Sequence, residues 1–564
     1  MYNSFKLFPS LKKKSKYLVI LSIGVSLLEL FSIALIIPLL SLLLDSNFSN
    51  NFFFNKFNFI SENKNLGFAY LSSLIIIFFI VKNICSYFFK KYIYNYCFDE
   101  QKKLRLKIFN LYLFSPYEKI ILSNQSKKFS ILTELTRVST ENFLIYFIEF
   151  FSNILIGLII FIFLLYYNFQ FTIFLTIIFF ISVFFLKKTV FKKIYELGKQ
   201  NKIAFQNILK TSETAVNAIK ELKVYLKEHL LEKEMYSSSN DFSKSQIKFL
   251  LIQNLPKYII EIIIIFGILL VGSYILIVEE DLSKVLITLG VYVFVSLRLA
   301  PLLNQVLTCY ANITNSRYSI ETLIEEIDFF ENFKNIKKSN LPLETNFLKK
   351  IEIINFNFDY KNKKIFSNSN FKINKGETII LHGDSGSGKT TFIYLLLGFL
   401  KLNSKVIIDD KEFNEIDYLN LVDLISYIPQ EPYMLNDTIR SNILFGSTFD
   451  KEKEQNVLKD SNLTDLINDL EDGLNTIVGD KGNKISGGQK QRISIARALY
   501  NNKSIIILDE PSTFLDKFSK NVLLETIKRL KKKYTILIIS HENIFDELAD
   551  KIYTIKNQKL IENI

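Results

Sequence analysis

The chain has 564 residues, 53 of them Phe and none Trp, with a net charge of +13 and a positive mean hydropathy. That length calls for more than one domain, and so apolar a composition excludes a wholly soluble enzyme in favour of a membrane part joined to a soluble part. Cys85, Cys97 and Cys309 show neither metal-ligand spacing nor a disulfide framework, which suits a reducing compartment or buried sites.

The first element is an apolar run from Tyr17 to Leu44, preceded by Lys12, Lys13, Lys14 and Lys16. It is too long for the apolar region of a signal peptide, and no small-residue cleavage site follows, so it is predicted to be a retained first membrane span. Five further stretches approach the ~20 residues a hydrocarbon core requires. They are Gly67–Tyr92, Asn142–Tyr167, Phe171–Leu186, Phe249–Val278 and Val285–Tyr310. The third and fourth are separated only by Asn168-Phe169-Gln170, a tight hairpin.

Basic charge is concentrated in alternate loops. Segment 93–141 carries Lys102, Lys103, Arg105, Lys107, Lys119, Lys127, Lys128 and Arg137, and segment 187–248 is also rich in Lys. The intervening loops are poor in Lys and Arg; one reads Glu279-Glu280-Asp281. The net charge therefore reflects the positive-inside rule, with both termini cytoplasmic, and not nucleic-acid binding. Helical spacing at Ile203, Phe205, Ile208 and Leu209 predicts that the membrane helices extend into the cytoplasm. Each extension is expected to end in a short turn touching the soluble half. Residues 45–66 hold Phe48, Phe52, Phe53, Phe54, Phe57 and Phe59, an amphipathic segment suited to the membrane surface.

Three cations fall inside the spans: Lys82, Lys257 and Arg298. At 1.5 Å per residue all three lie at one level, on the order of 10–20 Å above the cytoplasmic boundary. Unpaired charge at that depth costs several kcal/mol, so either the three line a cavity for an anionic group or acids neutralise them. Glu29, Glu149 and Glu261 are the acids available.

A charged, Asn-rich linker at 325–350 divides a membrane domain, 1–324, from a soluble domain, 351–564. In the soluble domain, Ile351–Phe358, Thr378–Leu381, Val406–Ile408, Leu424–Ile428, Ser504–Leu508 and Thr535–Ile539 are short apolar runs between helical stretches. Such runs predict an α/β domain with a parallel sheet covered on both faces. Gly383-Asp384-Ser385-Gly386-Ser387-Gly388-Lys389-Thr390 follows an apolar strand and precedes a helix that opens with Thr391. This is the phosphate-cradling loop: backbone N–H groups and the helix N-terminus face phosphate oxygens, Lys389 adds a cation, and the Thr390 hydroxyl can ligate Mg2+. Ile505–Leu508 leads into Asp509, placed for a water-mediated Mg2+ contact, and Glu510, placed to orient or deprotonate the attacking water.

Between these stands Ile485-Ser486-Gly487-Gly488-Gln489. With the phosphate loop, this makes the whole chain resemble ATP-binding-cassette (ABC) exporters, whose signature is Leu-Ser-Gly-Gly-Gln. The resemblance implies an all-α six-helix transmembrane domain fused to a cytoplasmic α/β P-loop ATPase, with ATP and Mg2+ as cofactors. It implies an adenine-stacking role for Tyr360, and for Gln430 a magnesium contact linked to the membrane domain. Thr513-Phe514-Leu515-Asp516 resembles the loop crossing to a partner cassette, and His541 the switch histidine beside the γ-phosphate. Because the signature Ser486–Gln489 acts on ATP held by another cassette, a homodimer is implied. Ile485, Pro511 and Phe514 depart from the common pattern, as does Glu542, which stands where Arg is frequent.

Among such exporters the chain most resembles PglK-type flippases of lipid-linked oligosaccharides. The points of likeness are Leu28-Glu29-Leu30-Phe31, Leu255-Pro256-Lys257, Leu299-Ala300-Pro301 after Arg298, and Tyr427-Ile428-Pro429-Gln430. This implies a polyprenyl-diphosphate glycan as anionic substrate, a bacterial inner-membrane location and Lys82, Lys257 and Arg298 facing the diphosphate. A lipid A-type or multidrug exporter is the alternative. A nucleotide-gated channel is a third, disfavoured by intact Lys389, Glu510 and His541.

Overall fold

The computed structural model describes residues 6–44, 64–121, 124–170, 172–173, 176–177, 192–278, 282–333, 347–360, 363–409, 411–413, 421–513 and 515–563. The aromatic segment 45–63, the Glu279-Glu280-Asp281 turn, most of the fourth span and Phe514 lie outside these. The chain divides into two compact units, Met1–Ser115 with Ile120–Asn335, and Pro116–Lys119 with Ile336–Ile564.

The first unit is helical. α1 (Ser10–Ala34) and α2 (Ile36–Leu44) are separated at Leu35. Pro38 lies in the first turn of α2, where its missing N–H leaves no helical bond unmade. α3 (Lys64–Phe114), α6 (Glu228–Val278) and α7 (Leu282–Glu331) are 51, 51 and 50 residues long. At 1.5 Å per residue each spans about 75 Å, more than twice a ~30 Å hydrocarbon core. The helices therefore continue unbroken beyond their apolar spans, and α7 runs on to Glu331, into the segment read as a linker. α4 (Ile145–Tyr167) ends where Asn168 turns extended, and α5 (Lys192–Asn217) follows after the hairpin. Five long apolar helical stretches could cross a membrane among the described residues.

Packing changes along these helices. In the span of α3, Ile76, Ile77, Ile80, Val81 and Ile84 are exposed, as lipid-facing residues are. In its extension, Ile93, Cys97, Leu104 and Ile108 are buried against Phe8, Leu11, Leu144, Leu323 and Phe330, a core of the water-soluble kind. Lys107–Glu331 (2.8 Å) and Lys127–Glu326 (2.7 Å) ring that core.

The second unit holds two sheets. The larger is ordered β10-β9-β3-β8-β7-β6. It comprises β3 (Thr378–Gly383), β6 (Ile425–Ile428), β7 (Ile505–Asp509), β8 (Thr535–Ile539), β9 (Lys551–Lys556) and β10 (Lys559–Asn563). All pairs are parallel except β9–β10. β7 and β8 are buried at every residue, which explains their unbroken Ile-rich runs.

Two strands expected in this sheet belong elsewhere. β1 (Lys350–Tyr360) and β4 (Asn403–Ile408) join β2 (Lys363–Asn374) and β5 (Lys411–Phe413) in a separate antiparallel sheet. Burial along the first part of β1 alternates, as one wetted face demands. β2 and the β9–β10 hairpin, rich in Lys and Asn, escaped the apolar-run criterion.

Pro116–Lys119 clusters with this unit, and the Tyr117 ring centroid lies 4.3 Å from that of Phe399 and 5.7 Å from that of Tyr394.

Candidate nucleotide and membrane sites

β3 delivers the phosphate loop at its C-terminal end, and α8 (Lys389–Leu396) continues from it. Gly388 has φ +110°, open to glycine and strained for other residues, and a Cβ there would meet Ile365 Cγ2 at 2.8 Å. The loop is therefore pressed against β2. Lys389 folds back over it, donating to the Gly383 carbonyl (2.5 Å) and more weakly to that of Asp384 (3.4 Å). The buried Ser387 hydroxyl has no hydrogen-bond partner among the described residues. A buried orphan hydroxyl beside a buried ammonium fits an anionic oxygen ligand, so the loop suits a nucleotide's phosphates. Thr390 and Thr391 begin the helix, with Thr390 exposed.

β7, two strands from β3, brings Asp509 and Glu510 to the same edge. Tyr427 on β6 donates to Asp509 Oδ2 (3.0 Å). Burial pushes the Asp509 carboxyl above its usual pKa range, opposed by the Tyr427 hydrogen bond and by Lys389. A divalent cation would relieve that burial cost, which is the chemistry expected of a magnesium-facing carboxylate.

Glu510 has φ +43°, a left-handed conformation that strains a non-glycine residue, and its N–H is anchored on the Ile539 carbonyl (2.9 Å). Its carboxylate accepts from Gln430 Nε2 (3.2 Å) and Thr513 Oγ1 (3.3 Å). Lys389 Nζ is 3.7 Å away and His541 Nδ1 3.6 Å. Lys389, Gln430, Glu510 and His541, spread over 153 positions of the chain by motif spacing, thus meet around one carboxylate. Tyr360, at the end of β1, is exposed, as an adenine-stacking face would be.

Ser486–Gln489 stand apart from this group. Ser486 caps α9 (Gly487–Tyr500): its Oγ accepts from the Gln489 N–H, and Gln489 Oε1 accepts from the Ser486 N–H (2.8 Å). Among the described residues they make no hydrogen bond to 383–391. That helix start is exposed at Ser486 and Gly487.

Motif reading missed two contributors. His382 precedes the loop, with Nε2 2.7 Å from Asp546 Oδ1 and Nδ1 2.8 Å from the Ser540 carbonyl. Tyr427 was visible only as a motif neighbour of Gln430; its hydroxyl contact arises from β6–β7 pairing.

The first unit contains a cavity of about 260 Å³ among α1, α3, α4 and α7, whose charged lining residues are Glu29, Lys82, Lys90, Glu149 and Arg298. Lys82 Nζ is 2.7 Å from Glu29 Oε2, and Arg298 forms an ion pair with the other oxygen of the same carboxylate. Lys82 and Arg298 therefore converge on Glu29, one of the acids available to neutralise them. Lys257 does not join them: it is exposed on α6 and absent from the lining. Residue count along a helix gives depth and not azimuth, so a shared level does not by itself bring Lys257 to this cavity.

The family model described as "ABC transporter" matches residues 366–513. A relative in Rickettsia typhi, named as an export ATP-binding/permease protein, is 37% identical over 253 residues, 44% of this chain and 43% of the relative. An "ATP-dependent lipid A-core flippase" of Francisella tularensis is 27% identical over 385 residues, 66% of this chain and 62% of the relative. The chain thus spans less than two thirds of these relatives' lengths. A bacterial Atm1-family ABC exporter, solved with ATP bound, superposes with TM-score 0.78 at 18% identity, covering 98% of this chain and 95% of that one. The chain thus has the fold of an ABC exporter, a helical transmembrane domain followed by an α/β cassette whose residues 366–513 match the ABC transporter model.

Proposed function

We propose that two copies of this chain form an ATP-driven exporter in the bacterial inner membrane, with cytoplasmic cassettes, that flips an anionic lipid-linked oligosaccharide to the outer leaflet. The observation that carries the ATPase reading is the convergence of Lys389, Gln430 and His541 on Glu510 beside the phosphate loop. Thr390 and Gln430 would hold Mg2+, with Asp509 acting through water. When bound, the ion neutralises charge on the phosphate oxygens. Glu510 accepts a proton from the attacking water, and its long contacts leave that oxygen free to do so. Lys389 exchanges the loop carbonyls for phosphate oxygens. His541 donates to the transferring phosphoryl group. Ser486–Gln489 supply the second wall of the site on the partner cassette.

The substrate reading draws on the cavity. Its lining carries Lys82, Lys90 and Arg298 against Glu29 and Glu149, a surplus of one positive charge (three against two). A surplus cation within the bilayer favours an anionic head group over a neutral drug. A lipid A-type substrate is the second reading, favoured by the names of relatives such as that in Francisella.

ATP turnover in proteoliposomes, measured against a lipid panel, tests both. Stimulation by a polyprenyl-diphosphate glycan is expected to exceed that by lipid A or by zwitterionic lipid. Stimulation by lipid A alone would replace the first reading with the second. A flat response across the panel would remove both.

A further inference from the structure

The turn carrying His541 is held by residues outside the nucleotide motifs. The Glu542 carboxylate accepts from Lys520 Nζ at 2.6 and 2.9 Å, and from the Ser512 hydroxyl. Its backbone N–H donates to Ser540 Oγ (2.9 Å). Burial works to raise the Glu542 pKa, but Lys520 and Ser512 outweigh it and hold the carboxyl below its usual range. On the other flank, His382 reaches the Ser540 carbonyl and Asp546.

Lys520 stands on α10 (Lys517–Leu530), whose start is capped by Asp516 accepting from the Ser519 N–H (3.3 Å). That start abuts α9: a Cβ on Gly488 would lie 2.9 Å from Ser519 Oγ and 3.7 Å from Leu515. A continuous chain of contacts therefore runs from Gly488 through α10, Lys520 and Glu542 to His541.

We propose that the Lys520–Glu542 ion pair is a positioning device that ties the Ser486–Gln489 motif to His541 within one cassette. What the motif grips is then registered at that cassette's own hydrolytic site. Partly exposed pairs add little to stability, so loss of this one moves His541 without unfolding the cassette. The proposal rests on the ATPase reading above.

The test compares full-length Lys520→Met, Glu542→Gln and the swap Lys520→Glu/Glu542→Lys in ATP turnover and thermal midpoint. Each single variant is expected to lose about tenfold to a hundredfold in kcat, the scale of a small misplacement of a reacting group. KM for ATP and the thermal midpoint stay at wild-type values, because neither residue touches the phosphate loop. The swap and Glu542→Asp recover most of kcat. Single variants as fast as wild type overturn the link, as does a folded swap as slow as the singles. A thermal midpoint falling in step with kcat makes the pair merely structural and also overturns it. Wild-type protein without ATP turnover would instead sink the ATPase reading.

Discussion

Glu510 in the cassette and Glu29 in the membrane unit are both carboxylates facing cations, yet they are held in opposite ways. Glu29 is 8% exposed and committed, with Lys82 at 2.7 Å on one oxygen and Arg298 on the other. Glu510 is 20% exposed and under-committed: four groups surround it at 3.2–3.7 Å, and its backbone is strained. A carboxylate that must take a proton cannot be saturated by its neighbours, whereas one buried with two cations must be. Proximity to a cation does not separate the two roles; the tightness of the pairing does.

The sharpest way to break this contrast is Glu510→Gln. ATP turnover should fall about 10²–10⁴-fold, the usual worth of a positioned base. Nucleotide affinity should persist, because the phosphate loop is untouched. Turnover near wild type, measured by phosphate release, would show that the loose carboxylate is not the base.

Glu29→Gln should act on stability first. Removing one partner from a buried ion pair costs about 3–5 kcal/mol. The purified variant should therefore melt well below wild type, while ATP binding by its folded fraction is unchanged. An unaltered melting temperature would mean that Lys82 and Arg298 find other partners or water.

Lys202 provides the smallest effect, and a pH dependence. It lies in the polar helical extension of the first unit, buried and bonded to Thr322. Burial, with Lys127 adding repulsion, pushes its ammonium down to about 8. The unfolded chain keeps a lysine protonated to about pH 10.4. Between those values the unfolded state binds more protons, so this residue's contribution to stability rises with pH. The melting temperature of wild type relative to Lys202→Met should increase from pH 8 to 10. A constant difference would mean that the ammonium is not desolvated.

What could be read before folding depended on how local the chemistry is. The phosphate loop was legible because Gly383–Thr390 carry their conformation and their donors in one run of backbone. The Asp509-Glu510 pair was legible because a fully buried strand must end where its carboxylates reach water. Long apolar helices were legible because a bilayer demands them, and their cytoplasmic extensions showed as helical spacing in polar sequence. The grouping of strands was not legible in the same way: β1 and β4 share the apolar character of the parallel strands, and only their partners reveal the wetted face.

From sequence alone came the order of the motifs, the apolar length of the spans and the alternation of basic loops. These follow from one-dimensional rules: bonds between near neighbours, rise per residue, and hydrophobic length. Tertiary structure alone decided that Lys82 and Arg298 share Glu29 while Lys257 stays outside that cavity, that Tyr427 and His382 attend the nucleotide site, and that Glu542 grips Lys520. Those contacts join residues far apart in the chain. The angle of each helix face and the register of each strand pair select them, and neither quantity is written in any single segment.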